Sequence, residues 1–379
     1  MHSVNRLSNP TDLADFIRGL TLLGTGGGGR PEAGHAALAP YIIRGDELRW
    51  RSLDTISDDA FFCSLSGLGS IAPTAPLSQA ELVAAGYPEA MDDRQPMLLA
   101  LRELERQTNK KISGVFPIEI GAGNTTTPFA AALAAGVDMI DCDCAGGRAI
   151  PEMSQSTVAL AGVSVTPAVF ADPWGTLLTV SGCHSSKQAE RLGKAISSVT
   201  KLADMRAQCA RAAFIVDGRT LKRVATGGGL TRALRLGRLI AASRSSGKDP
   251  AEAAARELNG AVVARGKLIA KDWESRDGYM FGELRIASNN APETRIFLKN
   301  ENHIVWIGDV PKYTAPDLIC VVDEKTGEPS TNTNLESGTN VAVIVAPALE
   351  IHRTPQSINA LGPRHYGFDI EYIPMEAVR

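Results

Sequence analysis

The spacing of apolar residues changes about 170 residues into the chain, and that change sets the expected fold. Near the start, Leu13, Phe16, Ile17 and Leu20 share one helical face. Asn9 suits the N-cap of that helix, Pro10 its first position and Asp12 the positive end of its dipole. The helix runs into Gly24-Thr25-Gly26-Gly27-Gly28-Gly29, where five glycines in six residues let backbone N–H groups approach another surface closely. Phe61 to Leu65 reads as a short strand and Met97 to Arg106 as a helix.

A clear alternation follows. Lys111 to Glu119 predicts a strand, Thr127 to Ala135 a helix, Val137 to Cys144 a strand, Pro151 to Leu160 a helix, and Val163 to Phe170 another strand. Strands and helices alternating at this spacing indicate βαβ units. Beyond them, helical segments over 184–199, 230–244 and 250–258 lead into short strands at Val262 to Ile269, Gly282 to Ile286, Arg295 to Leu298, Leu318 to Val322 and Val341 to Val345. The fold class expected is α/β: an N-terminal α/β domain with a largely parallel sheet over 1–168, then a C-terminal mixed α+β, β-rich domain over 169–379.

Composition agrees with two packed domains. At 379 residues the chain exceeds the size of a single core, and 44% hydrophobic with 21% charged residues is ordinary for a globular protein. The 39 basic and 42 acidic residues give a net charge of −3, and no basic run is long enough to follow a phosphate backbone. That argues against a nucleic-acid partner. Six cysteines, Cys63, Cys142, Cys144, Cys183, Cys209 and Cys320, are scattered without a framework, which predicts free thiols and a cytoplasmic location. The opening MHSVNRLSNPTDLADF has neither signal-peptide nor transit-peptide character and reads as mature protein. No stretch approaches the roughly 18 to 20 apolar residues that span a bilayer. The partner expected is a small molecule, and a homo-oligomer is compatible with all of this.

Candidate chemistry concentrates between Glu119 and Glu152. Glu119-Ile120-Gly121-Ala122-Gly123-Asn124 and Asp141-Cys142-Asp143-Cys144-Ala145-Gly146-Gly147-Arg148 lie just beyond expected strand ends, where ligands of open α/β sheets bind. Asp141 and Asp143, two apart on a strand, project from one face, with Cys142 and Cys144 on the other. Close carboxylates need a cation between them, an arginine such as Arg148, or a retained proton, so a metal site, an ion-pair network and an acid/base pair stay open. So does a plain role as solvated loop residues or helix caps.

The Gly24 run follows a helix and matches neither phosphate-loop fingerprint, which favours close approach to a substrate or to the other domain. Gly227-Gly228-Gly229, ahead of Arg232, Arg235 and Arg238, reads as a helix start with a basic face. Cys142-x-Cys144 has no second pair to make a zinc site; buried packing is the simpler reading, with Cys144 as a nucleophile the alternative. His184, His303, His352 and His365 are the histidines to test as ligands or bases.

Several motifs in one order resemble the S-methyl thiohydantoin desulfurase domain family. They are Leu22-Leu23-Gly24-Thr25-Gly26-Gly27-Gly28-Gly29, Glu119 to Asn124, Asp141 to Asp143 with Gly147-Arg148-Ala149-Ile150-Pro151-Glu152, Pro316 to Ile319, Thr326 to Pro329, and Gly362 to Asp369. The resemblance runs from about residue 10 to 374. It implies an N-terminal α/β domain, a mixed C-terminal domain and a part in the breakdown of hydantoin-like rings.

Taken with the residues, it implies a hydrolase in which water attacks the sulfur-bearing carbon of a thiohydantoin-like ring. A divalent metal, zinc or manganese, held by some of Glu119, Asp141, Asp143 and His184 would activate the water; without metal, a carboxylate among Glu119, Asp141, Asp143 and Glu152 would act as base. Arg148 would face developing negative charge, Asn124 would orient the ring, and Gly26, Gly27, Gly28, Gly121 and Gly123 would bring backbone to its carbonyls. The rival expectation is a non-catalytic subunit or ligand-binding partner of a hydantoin-opening enzyme.

Overall fold

Asn9 caps the first helix, its side chain accepting from the Asp12 N–H at 2.9 Å, and Pro10–Leu23 buries Leu13, Phe16, Ile17 and Leu20 as the apolar spacing requires. A computed structural model describes residues 6–69, 77–87, 94–199, 209–288 and 291–378. The Pro10–Leu23 helix crosses Gly229–Ser245 at backbone contact. A Cβ on Gly19 would lie 1.7 Å from the Ala233 carbonyl oxygen, and one on Gly237 1.7 Å from that of Asp15.

Two large sheets organise the described residues, beside a small two-stranded one of Arg6–Leu7 and Leu48–Arg49. The first runs in the order Thr226–Gly227, Asp138–Asp143, Ile112–Phe116, Phe61–Leu68, Cys209–Asp217, Ala168–Ala171, Leu177–Val180. It is mixed. Phe61–Leu68, Ile112–Phe116 and Asp138–Asp143 run parallel, whereas Cys209–Asp217 is antiparallel to both its neighbours. This last strand, beyond the expected boundary near residue 168, is apolar except for Arg211 and its terminal Asp217 and fills the middle of the first sheet.

The second sheet has seven strands, all antiparallel, in the order Val310–Thr314, Glu301–Ile307, Ala291–Lys299, Tyr279–Ser288, Ala261–Arg276, Asn340–Ala346, Leu318–Asp323. Alternation along Leu318–Asp323 joins the two halves: Leu318, Cys320 and Val322 enter the core of the first, Ile319 and Val321 that of the second. Among the described residues no helix is long and apolar enough to cross a membrane.

Local differences from the expected elements have local causes. The helix expected from Thr127 begins at Ala122, because Gly121 is extended and the Gly28 carbonyl accepts from the Gly123 and Asn124 N–H groups. Pro151 to Leu160 forms only the short turn Met153–Gln155 and the single helical turn Thr157–Leu160, since Ser156 between them is extended. Pro31–Ile43 is a helix that the chain does not announce: Ala, Gly and an internal Pro40 replace a clean amphipathic stripe.

The glycine run packs against protein on two sides. A Cβ on Gly28 would sit 2.6 Å from the Gly121 Cα, and one on Gly27 only 1.9 Å from the Glu301 Oε1. Gly28 also has φ +75°, a value shared in kind by Gly45 at +91°, which has open space around it. Gly28→Ala is therefore expected to destabilise by about 2–4 kcal/mol in urea unfolding, the sum of backbone strain and overpacking, and Gly45→Ala by only about 1 kcal/mol.

Candidate active site

The loops that follow the two parallel strands are stitched together: the Cys144 N–H donates to the Ile118 carbonyl at 2.9 Å and the Ile120 N–H to the Arg148 carbonyl at 3.1 Å. Glu119 is held between them. Its Oε2 accepts from the Ile150 N–H at 2.6 Å, and its Oε1 accepts from the Asn124 side-chain amide in the first turn of Ala122–Ala135. Both side chains are half-buried. Burial pushes the Glu119 carboxyl up to about 7, although the Ile150 and Asn124 donors pull the other way; Glu190 adds to the rise and Lys194 opposes it.

Further charged residues lie in this region, on the helix Ser186–Val199 and on both sheets. Arg211 pairs with Glu190 at 3.0 Å with both side chains almost fully enclosed. Lys194 and Lys299 lie 4.4 and 4.3 Å from the centre of the Tyr279 ring. Lys299 also pairs with Glu152, which His365 meets at 3.3 Å. Burial alone would raise the Glu152 carboxyl, but the His365 hydrogen bond and the Lys299 charge hold it well below the usual carboxylate range. Glu301 is buried and pushed well up, first by desolvation and then by Glu119. His303, its ring centre 4.2 Å from that of Tyr366 and tilted by 33°, is driven well below its ordinary value by burial and so is neutral.

The acidic residues expected to crowd together divide into two groups. Asp141 accepts from the Leu230 N–H at 2.7 Å and the Thr231 N–H at 3.3 Å, capping Gly229–Ser245. Asp143 accepts from the Ala145 and Gly147 N–H groups at 2.8 and 2.9 Å; burial pushes it up to about 6 against those donors and Arg232. Both face the start of that helix, so the answer to their repulsion is N–H groups and a helix terminus. Glu119 lies apart from them, turned towards Ile150 and Asn124.

The residues expected as metal ligands lie in different surroundings, Asp141 and Asp143 buried and His184 exposed. His184 is exposed ahead of Ser186–Val199, and among the described residues no group of three or more His, Cys, Asp or Glu side chains is arranged to hold a metal ion. Asp141, Asp143 and His184 thus do not form one site.

Arg148 does not face a cleft. It is buried, and its guanidinium donates to the carbonyls of Ala149, Pro316 and Asp317, each at 2.9 Å, leaving no donor fork for a substrate charge. The Gly27, Gly121 and Gly123 N–H groups donate to Gly24, Thr125 and Gly28, while Gly26 and Gly28 are buried against Asn332 and Gly121. These glycines shape the wall behind the site. The Cys144 thiol is enclosed and raised far above its ordinary value by burial, which suits packing and not nucleophilic attack. His352 is buried against Gly146 and lowered to about 4 by burial and Arg148.

Sequence reasoning missed Glu190, Lys194, Arg211, Tyr279, Lys299 and Glu301. Two signals were present: a lone Arg211 inside an apolar strand, and the polar run Lys299 to His303 at a strand junction.

Comparison with known proteins follows the same outline. The S-Me-THD-like N-terminal domain matches residues 11–182 and the S-Me-THD-like C-terminal domain residues 184–375. The chain is similar to an X-ray crystal structure of a protein from Chromobacterium violaceum, with a TM-score of 0.73 at 22% identity over 98% of this chain and 99% of that one. That likeness concerns the fold. No curated protein matches the chain.

The Glu152 pair yields a test. Its carboxyl is depressed on folding, so its contribution is complete above the ordinary 4.5 and is lost as pH falls. Lys299→Met is expected to cost about 3–5 kcal/mol in urea unfolding at pH 7, because a buried carboxylate loses its main counter-charge. Adding Glu152→Gln should recover most of that loss.

Proposed function

Because the chain belongs to the S-Me-THD-like family, we propose that it is a hydrolase that removes sulfur from a thiohydantoin-like ring, with water attacking the sulfur-bearing carbon. The observation that carries this reading is Glu119: a half-buried carboxyl pushed up to about 7, held by two donors where both halves of the molecule meet. A group of that acidity takes and returns a proton readily near neutral pH.

In the reaction, the Glu119 carboxylate removes a proton from water as the oxygen adds to the ring carbon, and passes that proton to the ring nitrogen of the C=N bond. The C–S bond then breaks with its electron pair on sulfur as the added hydroxyl gives up its proton to form the carbonyl, and sulfur takes up a proton to leave as the thiol. The Asn124 amide fixes the carboxylate, and Lys194 supplies positive charge that Glu119 feels. The partner is a small ring, consistent with a site built of enclosed side chains from both sheets.

Purified protein incubated with S-methyl thiohydantoins should release thiol, and Glu119→Gln should lower kcat by about 10²–10⁴-fold. The base works only after losing its proton, so kcat/KM should rise with pH through about 7 and then level off. Tight ring binding with no thiol released by the wild-type protein would replace this reading with that of a ligand-binding partner.

A further inference from the structure

Glu301 stands out among the buried groups that this reaction leaves unused. It is 2% exposed, and its Oε2 has no hydrogen-bond partner. Neighbouring side chains on its strand are fastened: the Asn302 amide donates to the Ile319 carbonyl at 3.1 Å, and Asn332 donates to the Asn300 carbonyl at 2.8 Å and to the Asn302 side-chain oxygen at 3.0 Å. Glu301 reaches instead to the glycine run, where its Oε1 occupies the place of a Cβ on Gly27. Gly27 has an ordinary backbone conformation, so the Glu301 carboxyl, not φ, is what its missing side chain makes room for.

Donors divide the two carboxyls. Glu119 accepts one hydrogen bond on each oxygen, which favours its ionised form, while the unpartnered Glu301 oxygen is a place for a proton. We propose that Glu301 is the acid partner of Glu119, carrying the proton that goes to sulfur as the C–S bond breaks. The inference rests on the desulfurase reading above.

The steps balance. Glu119 moves a proton from water to the ring nitrogen, then takes the hydroxyl proton as the carbonyl forms; Glu301 protonates the departing sulfur; the proton gained by Glu119 returns to Glu301. Water has then supplied oxygen to carbon, one hydrogen to nitrogen and one to sulfur. The charged groups that Glu301 feels, Glu119 raising it against Arg148 and Lys194, fit a carboxyl that keeps its proton.

A proton to sulfur matters most when the thiolate is a poor leaving group. Thiol release should be measured with an S-methyl thiohydantoin and with its S-trifluoroethyl analogue, whose thiolate leaves without a proton. Glu301→Gln should lose about 10²–10³-fold on the S-methyl substrate and less than about threefold on the analogue. Gly27→Ala, which displaces the same carboxyl without touching it chemically, should show the same selective loss and serves if the glutamine variant does not fold. Equal losses on both substrates, or no loss on either, would overturn the proposal. Wild-type protein and Glu119→Gln are run beside them: no thiol release by the wild-type protein sinks the desulfurase reading itself, full activity in Glu119→Gln sinks the base role of Glu119, and an inactive Glu119→Gln with a wild-type-like Glu301→Gln sinks only the acid role.

Discussion

A guanidinium cannot shed its charge on burial, so Arg148 must be solvated by protein, and that requirement fixes the centre of the molecule. Its oxygen partners come from its own loop at Ala149 and from Pro316 and Asp317 in the second half. The loop that carries Arg148 also accepts from Ile120 and presents the Ile150 N–H to Glu119. Displacing the arginine would therefore move the carboxylate that the proposed chemistry needs. A residue expected to meet substrate charge acts instead as the mount on which Glu119 is aligned.

Desolvation acts on every buried carboxyl here, yet the outcomes diverge with what each one meets. Glu152 meets Lys299 and His365 and stays ionised; Asp141 finds N–H groups at a helix start. Glu119 and Glu301 are driven in the same direction but differ in their donors. Environment, not residue type, sets which of them keeps a charge and which is pushed towards its neutral form.

The legible parts of the fold were those with strong periodicity. Pro10–Leu23, Asp138–Asp143 and Pro250–Glu257 lie within a residue or two of their expected bounds, because caps and apolar spacing agree there. Cys209–Asp217 was overlooked because a strand buried along most of its length has no alternation to read, and its antiparallel insertion makes the first sheet mixed. In the site, Glu119 and Asn124 were readable from their place after a strand. Glu190, Lys299 and Glu301 were not, since only the three-dimensional meeting of distant segments gives them a common environment. Asp141 and Asp143, two apart, read from the sequence as a pair in want of a counter-charge; a later helix start answers Asp141, and the N–H groups of its own loop answer Asp143.

The insertion of Cys209–Asp217 has a consequence for inheritance. The S-Me-THD-like N-terminal match ends at 182 and its C-terminal counterpart begins at 184, yet this strand from the later segment lies between Phe61–Leu68 and Ala168–Ala171 of the earlier one. Severed there, the first segment would have a gap in its sheet with unpaired edges on both sides, and the second would carry an apolar strand with nothing to shield it. Recombination cannot shuffle these segments as interchangeable modules; a lineage that keeps one must keep a matching other.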